Sequence, residues 1–161
     1  MKKLLGFSIF LVFVLIASLT AEAKVTLPAI FSDNMVLQQN TQVNVWGKAA
    51  PGEKVTVKAS WLDKAVTAKA AANGKWTVKL KTPKATTNQS VTVSGENEIT
   101  INNILIGEVW LCTGQSNMEF PVSRHPDVKW NTGMLNEAEE LKDADYPEIR
   151  LFHVKHQLAH E

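Results

Sequence analysis

Between Lys54 and Trp61 the side chains alternate without a break, with Val55, Val57, Ala59 and Trp61 in one set and Lys54, Thr56, Lys58 and Ser60 in the other. A repeat of two puts successive side chains on opposite faces of a pleated strand, whereas a helix needs a repeat near 3.6. The pattern returns at Gln42–Trp46, Ser90–Ser94 and Glu98–Asn102, and no stretch from Lys24 to Ile106 carries a helical apolar face. One apolar and one polar face is what an antiparallel sheet wetted on one side requires. Asn73-Gly74, between Ala65–Ala71 and Lys75–Leu80, predicts a hairpin closed by a type I′ turn, whose two central residues take positive φ. Ala50-Pro51-Gly52-Glu53 predicts another turn. Short strands at this spacing predict a small β-sandwich over residues 24–106.

The pattern changes at Gly107. Val109-Trp110-Leu111-Cys112 is a continuous apolar run, as expected of a strand buried on both faces. Met134, Leu135, Ala138 and Leu141 share a helical face, which predicts a helix ending at Asp145-Tyr146-Pro147. Ile149–Val154 predicts a second strand, so residues 107–161 read as a β-α-β unit opening a parallel α/β sheet. Such a unit cannot bury its own apolar faces. The expectation is therefore an incomplete domain.

Residues 1–23 read as a secretory leader. Lys2 and Lys3 precede an uncharged run from Leu4 to Thr20, and Ala21-Glu22-Ala23 fits a signal peptidase site, which puts the mature start at Lys24. That implies a secreted or periplasmic protein with no membrane partner after cleavage. The charges nearly cancel, 17 Lys+Arg against 16 Asp+Glu, which gives no electrostatic reason to expect nucleic acid. Cys112 is the only cysteine, so an intramolecular disulfide is excluded. Its place in the apolar run predicts a core residue.

The chemistry concentrates at Gly114-Gln115-Ser116-Asn117, directly after the predicted buried strand. Open α/β sheets put their active sites at the carboxyl ends of strands. Gly114 allows a sharp turn that could face the Ser116 hydroxyl and backbone N–H into a crevice, although the second glycine of a Gly-x-Ser-x-Gly elbow is missing. The same residues also suit an ordinary β-turn in which Ser116 or Asn117 bonds its own backbone. Trp46, Trp61 and Trp76 could form a sugar-stacking platform, but strand alternation directs some of them into the core. Glu108 and Glu119 flank the motif without pairing as an acid and a base. The sequence shows no phosphate loop or zinc ligand set, and no basic patch is expected.

Gly114-Gln115-Ser116-Asn117-Met118, preceded by Glu108–Cys112 and followed by Glu119-Phe120-Pro121, resembles the first block of sialate O-acetylesterases and related carbohydrate acetylesterases. Leu27–Gln39 is similar to the opening segment of that family. Val45-Trp46-Gly47, Pro51-Gly52-Glu53 and Asn73–Trp76 are similar to its β-domain, and Tyr146–Phe152 to the strand after the nucleophile region. The resemblance implies a β-sandwich followed by the truncated start of an SGNH hydrolase domain, flavodoxin-like in its α/β build. It implies Ser116 as the nucleophile, with its own N–H as the first oxyanion donor, and Gly114, Gln115 and Asn117 as shapers of the turn. The partner would be an acetylated sugar or glycan, closest to 9-O-acetylated sialic acid, and neither metal nor organic cofactor would be needed. The family's base is a histidine in a later Asp-x-x-His block. None of His125, His153, His156 and His160 stands in that context, so this chain is expected to lack esterase activity by itself. The competing expectation is a non-catalytic secreted β-sandwich that binds glycans.

Overall fold

The computed structural model describes residues 24–124, 127 and 133–154. The leader and its cleavage site lie outside the described residues. Seven strands follow in order: β1 (Val36–Gln38), β2 (Gln42–Lys48), β3 (Lys54–Ala59), β4 (Val66–Lys69), β5 (Lys75–Lys81), β6 (Thr86–Ser94) and β7 (Glu98–Gly107). Five of them form one sheet in the order β1-β7-β6-β3-β4, and β2 pairs with β5 in a two-stranded sheet. All pairs are antiparallel except β1 with β7, which runs parallel with Val36 opposite Leu105.

Alternation does what it predicts. Val55, Val57 and Ala59 of β3, Val91 and Val93 of β6, and Trp76, Val78 and Leu80 of β5 are buried in one core shared by both sheets. Full burial of an aliphatic side chain contributes about 1.5–3 kcal/mol each, so this core is the main source of stability. β7 departs from strict alternation. Ile101 pairs with Val91 and Ile104 with Gln89, so β7 carries one extra residue at Asn102-Asn103. β6 then carries one extra residue between Thr86 and Gln89, which restores the register. Asn103 (φ 53°) and Asn88 (φ 56°) sit at the two bulges in the left-handed region that asparagine tolerates.

Three expectations need correction. The Asn73-Gly74 turn forms, but β4 and β5 do not pair, and the turn carries the chain from one sheet to the other. It is not type I′. Gly74 has φ +74° while Asn73 is not in the positive-φ region. The Gly74 N–H donates to the Ala71 carbonyl at 2.8 Å, and the Lys75 N–H donates to Asn73 Oδ1 at 3.0 Å. Backbone bonds around a left-handed Gly74 close the turn, and the asparagine side chain braces it where a second left-handed residue was expected.

The second correction concerns residues 107–154. Val109–Cys112 and Ile149–Val154 are not strands, and Cys112 is exposed rather than core. Trp110 is 85% exposed, Leu111 89% and Leu151 95%. A strand needs a hydrogen-bonded neighbour and a buried one needs cover on both faces, and the described residues supply neither. The third is a boundary. The helix α1 runs Glu137–Asp143, later and shorter than the apolar pattern predicts, and it buries no residue.

Candidate active site

The site region begins where β7 ends. Glu108, just past the strand, accepts the Gln38 side-chain amide on Oε2 at 2.9 Å and the Gln39 amide on Oε1 at 2.7 Å. Gln38 Oε1 in turn accepts the Val109 N–H at 2.9 Å, and Gln39 Oε1 accepts the Ala85 N–H at 2.8 Å. The end of β1, the entry to β6 and the exit of β7 are therefore tied at one carboxylate, eight residues before Ser116. These donors, Gln38 first and Gln39 second, hold the Glu108 carboxyl below its ordinary range. Because the folded value is lowered, that contribution is present above the unfolded carboxylate pKa. It is lost as pH falls through the folded one. Hydrogen exchange at Val109, corrected for intrinsic rate, should therefore accelerate as pH drops below the usual carboxylate range. In Glu108→Gln the exchange should be faster throughout, with that pH dependence gone.

Beyond the clasp the chain has no regular structure as far as Gln115 (φ −102°, ψ −148°) and enters a single 3₁₀ turn, Ser116–Glu119. The Met118 N–H donates to the Gln115 carbonyl at 2.9 Å and the Phe120 N–H to the Asn117 carbonyl at 3.3 Å. Ser116 is the first residue of this turn, a position whose N–H has no acceptor within the helix itself. The structure thus brings Gly114, Gln115, Ser116 and Asn117 onto one short turn. The role assigned to the Ser116 hydroxyl concerns a side chain outside the described set. Gly114 does not serve the purpose expected of it. It does not adopt positive φ, but a Cβ there would meet Met118 Cγ at 2.9 Å. Close approach, rather than backbone freedom, favours glycine.

A second tie comes from the far end of the described chain. The Arg150 guanidinium donates to the Asn103 carbonyl and, at 3.2 Å, to Asn103 Oδ1. Asn103 Nδ2 donates to Asn34 Oδ1 at 2.7 Å. The β7 bulge thus presents a carbonyl and an amide side by side, and Arg150 reads both. Neither tie was anticipated from sequence, although the adjacent asparagines 102 and 103 are a bulge signal.

His153 is exposed, and His125, His156 and His160 lie outside the described residues. Among the described residues no group of three or more His, Cys, Asp or Glu could hold a metal ion. Among them also, no helix is long and apolar enough to cross a membrane.

No family model matches the chain. It is similar to sialate O-acetylesterase from Mus musculus, 30% identical over 138 residues, spanning 78% of this chain and 24% of that protein. It is likewise 30% identical over 145 residues to sialate O-acetylesterase from Rattus norvegicus, spanning 83% of this chain and 25% of that protein. Among solved structures, a carbohydrate acetylesterase from Xanthomonas citri matches with a TM-score of 0.59 and 35% identity, over 65% of this chain and 24% of that one. The chain spans about a quarter of the length of the proteins it matches.

Proposed function

We propose that this chain, which belongs to the sialate O-acetylesterase family, is the nucleophile-bearing amino-terminal portion of a secreted or periplasmic serine esterase that removes O-acetyl groups from carbohydrate. The observation that carries this reading is the Gly114-Gln115-Ser116-Asn117 turn, eight residues beyond the Glu108 clasp, in a chain 30–35% identical to named acetylesterases. In this proposal the Ser116 Oγ attacks the acetyl carbonyl, and negative charge collects on the carbonyl oxygen. The Ser116 N–H, at the start of its turn, is the first donor to that oxygen. Collapse of the tetrahedral intermediate breaks the bond to the sugar oxygen, which leaves as a hydroxyl after taking a proton. Water then attacks the acetyl-serine and releases acetate. The base that moves those protons comes from residues beyond these 161, which contain no Asp-x-x-His. The folding unit proposed for residues 24–106 is a β-sandwich, and that for 107–161 is the opening of an SGNH domain. The exposed Trp110, Leu111 and Leu151 are the apolar positions that the rest of such a domain would cover.

The substrate proposed is 9-O-acetylated sialic acid. The longer protein that carries this chain is assayed for acetate release from that sugar and from acetylated xylo-oligosaccharide, with acid quenching to trap the acyl-enzyme. Release from the sialic acid, with an acetyl group recovered on the peptide containing Ser116, is the expected result. Release from the xylo-oligosaccharide alone would keep the esterase and overturn the sugar. No acetate from either, with no acetyl peptide, would overturn the reaction.

A further inference from the structure

Trp76 is buried (3% exposed) and Trp61 is half-buried with its Nε1 donating to the Lys81 carbonyl at 2.9 Å, but Trp46 is 42% exposed on the outer face of the β2–β5 sheet. Its ring is not loose. Phe31 meets it edge-on with centroids 4.6 Å apart, which fixes the indole while part of it stays open to solvent. The outward-facing residues around it are Gln42, Asn44 and Lys48 on β2, and Lys75, Thr77, Lys79 and Lys81 on β5. None of these is acidic. The register places Lys48 directly opposite Lys75, Asn44 opposite Lys79 and Gln42 opposite Lys81. Like charges directly opposed across an antiparallel pair repel, and none of these lysines has an ion-pair partner among the described residues. A formal net charge of only +1 makes this concentration of cations a local feature rather than a property of the whole surface.

Lys48 also lines a shallow depression of about 580 Å³ at the end of this face, together with Lys24, Thr26, Pro51 and Asn73. The cationic face therefore continues into a concavity large enough for a small ligand. Fixed aromatic surface, amide and hydroxyl groups, and unpaired cations on one strip are complementary to an extended chain of sugar rings bearing carboxylates. Lys79 and Lys81 stand about 7 Å apart along β5, which presents charge at repeated intervals rather than at one point.

We infer that the outward face of β2 and β5, centred on Trp46 and flanked by Lys48, Lys75, Lys79 and Lys81, binds carboxylate-bearing polysaccharide. This site shares no residue with the Ser116 turn and does not depend on the esterase reading. Trp46 stacks on a sugar ring, the lysines pair with carboxylates, and Asn44, Gln42 and Thr77 bond hydroxyls.

The test uses the full chain, titrated calorimetrically with polygalacturonate, with dextran as a neutral glycan and duplex DNA as a non-carbohydrate polyanion. Polygalacturonate should bind and dextran should not, and 1 M salt should weaken binding because the Debye length then shrinks to about 3 Å. Lys79→Gln/Lys81→Gln, two solvent-facing changes that leave the core intact, and Trp46→Ala should each lower affinity about tenfold or more. Near-ultraviolet circular dichroism checks that Trp46→Ala keeps its fold. Ser116→Ala should bind like the parent. Absence of polygalacturonate binding would overturn the inference. So would DNA binding as tight as polygalacturonate, or affinity unchanged in both variants.

Discussion

Ser116→Ala, introduced into the longer protein that carries this chain, should lower the turnover of carbohydrate deacetylation by about six decades, the loss seen when a triad serine is removed from a serine protease. The size follows from the chemistry proposed. Without Oγ no acetyl-enzyme forms, and a methyl group offers the carbonyl no nucleophile. Little else should change. Gln115 and Asn117 on either side are exposed, and Ser116→Ala removes a single oxygen, so stability should stay within about 0.5 kcal/mol of the parent. Substrate affinity should also persist, because the ground state gains little from a hydroxyl that acts mainly in the transition state. The measurement is kcat and KM for acetate release, with a thermal melt alongside. A variant that melts normally yet keeps parental turnover would remove Ser116 from the mechanism.

The strands were legible because period-two alternation is a local property: β3 and β5 can be read from six or seven residues each, and their inward side chains are the ones buried. Pairing was not legible, because it depends on residues far apart in the chain. The parallel β1–β7 contact joins Val36 to Leu105, and nothing in either segment names the other. The clasp at Glu108 is hidden for the same reason, with its donors 69 and 70 residues away. At the Asn73-Gly74 turn the residue types were read correctly but assigned the wrong job. Only Gly74 is left-handed there, and the side chain of Asn73 braces the turn at the Lys75 N–H instead of supplying a second left-handed residue. Val109–Cys112 shows a composition that suits a doubly covered strand in a setting that offers no cover. Ser116 could be located only by a motif, since its place at the head of a 3₁₀ turn leaves no periodic trace.

Gly47→Ala should cost about 2–3 kcal/mol, a typical penalty for forcing an atom into a filled core. Gly47 has no positive φ, so its backbone would accept alanine; the obstacle is space. A Cβ at Gly47 would lie 2.2 Å from the Thr26 carbonyl oxygen and 2.9 Å from Trp76 Cζ2. The first is a backbone atom held in place, since Thr26 and Lys48 exchange hydrogen bonds of 2.8 and 3.0 Å. The second belongs to a buried indole whose Nε1 has no hydrogen-bond partner in the structure, so the ring has packing but no polar anchor. Relief must come from displacing the Thr26 bridge, the indole or both. Trp76→Phe separates these routes. It removes the Cζ2 conflict and the unsatisfied N–H, while leaving the Thr26 carbonyl where it is. In the Gly47→Ala background it should therefore cost less than in the parent, with a coupling of about 0.5–3 kcal/mol, but it should not restore full stability. Urea unfolding reads all four proteins, and Gly47→Ala alone should lower the midpoint by about 1–2 M. Strict additivity would place the whole penalty at Thr26. An unchanged midpoint in the single variant would mean that the β2 backbone and the Trp76 ring do not approach this closely in solution.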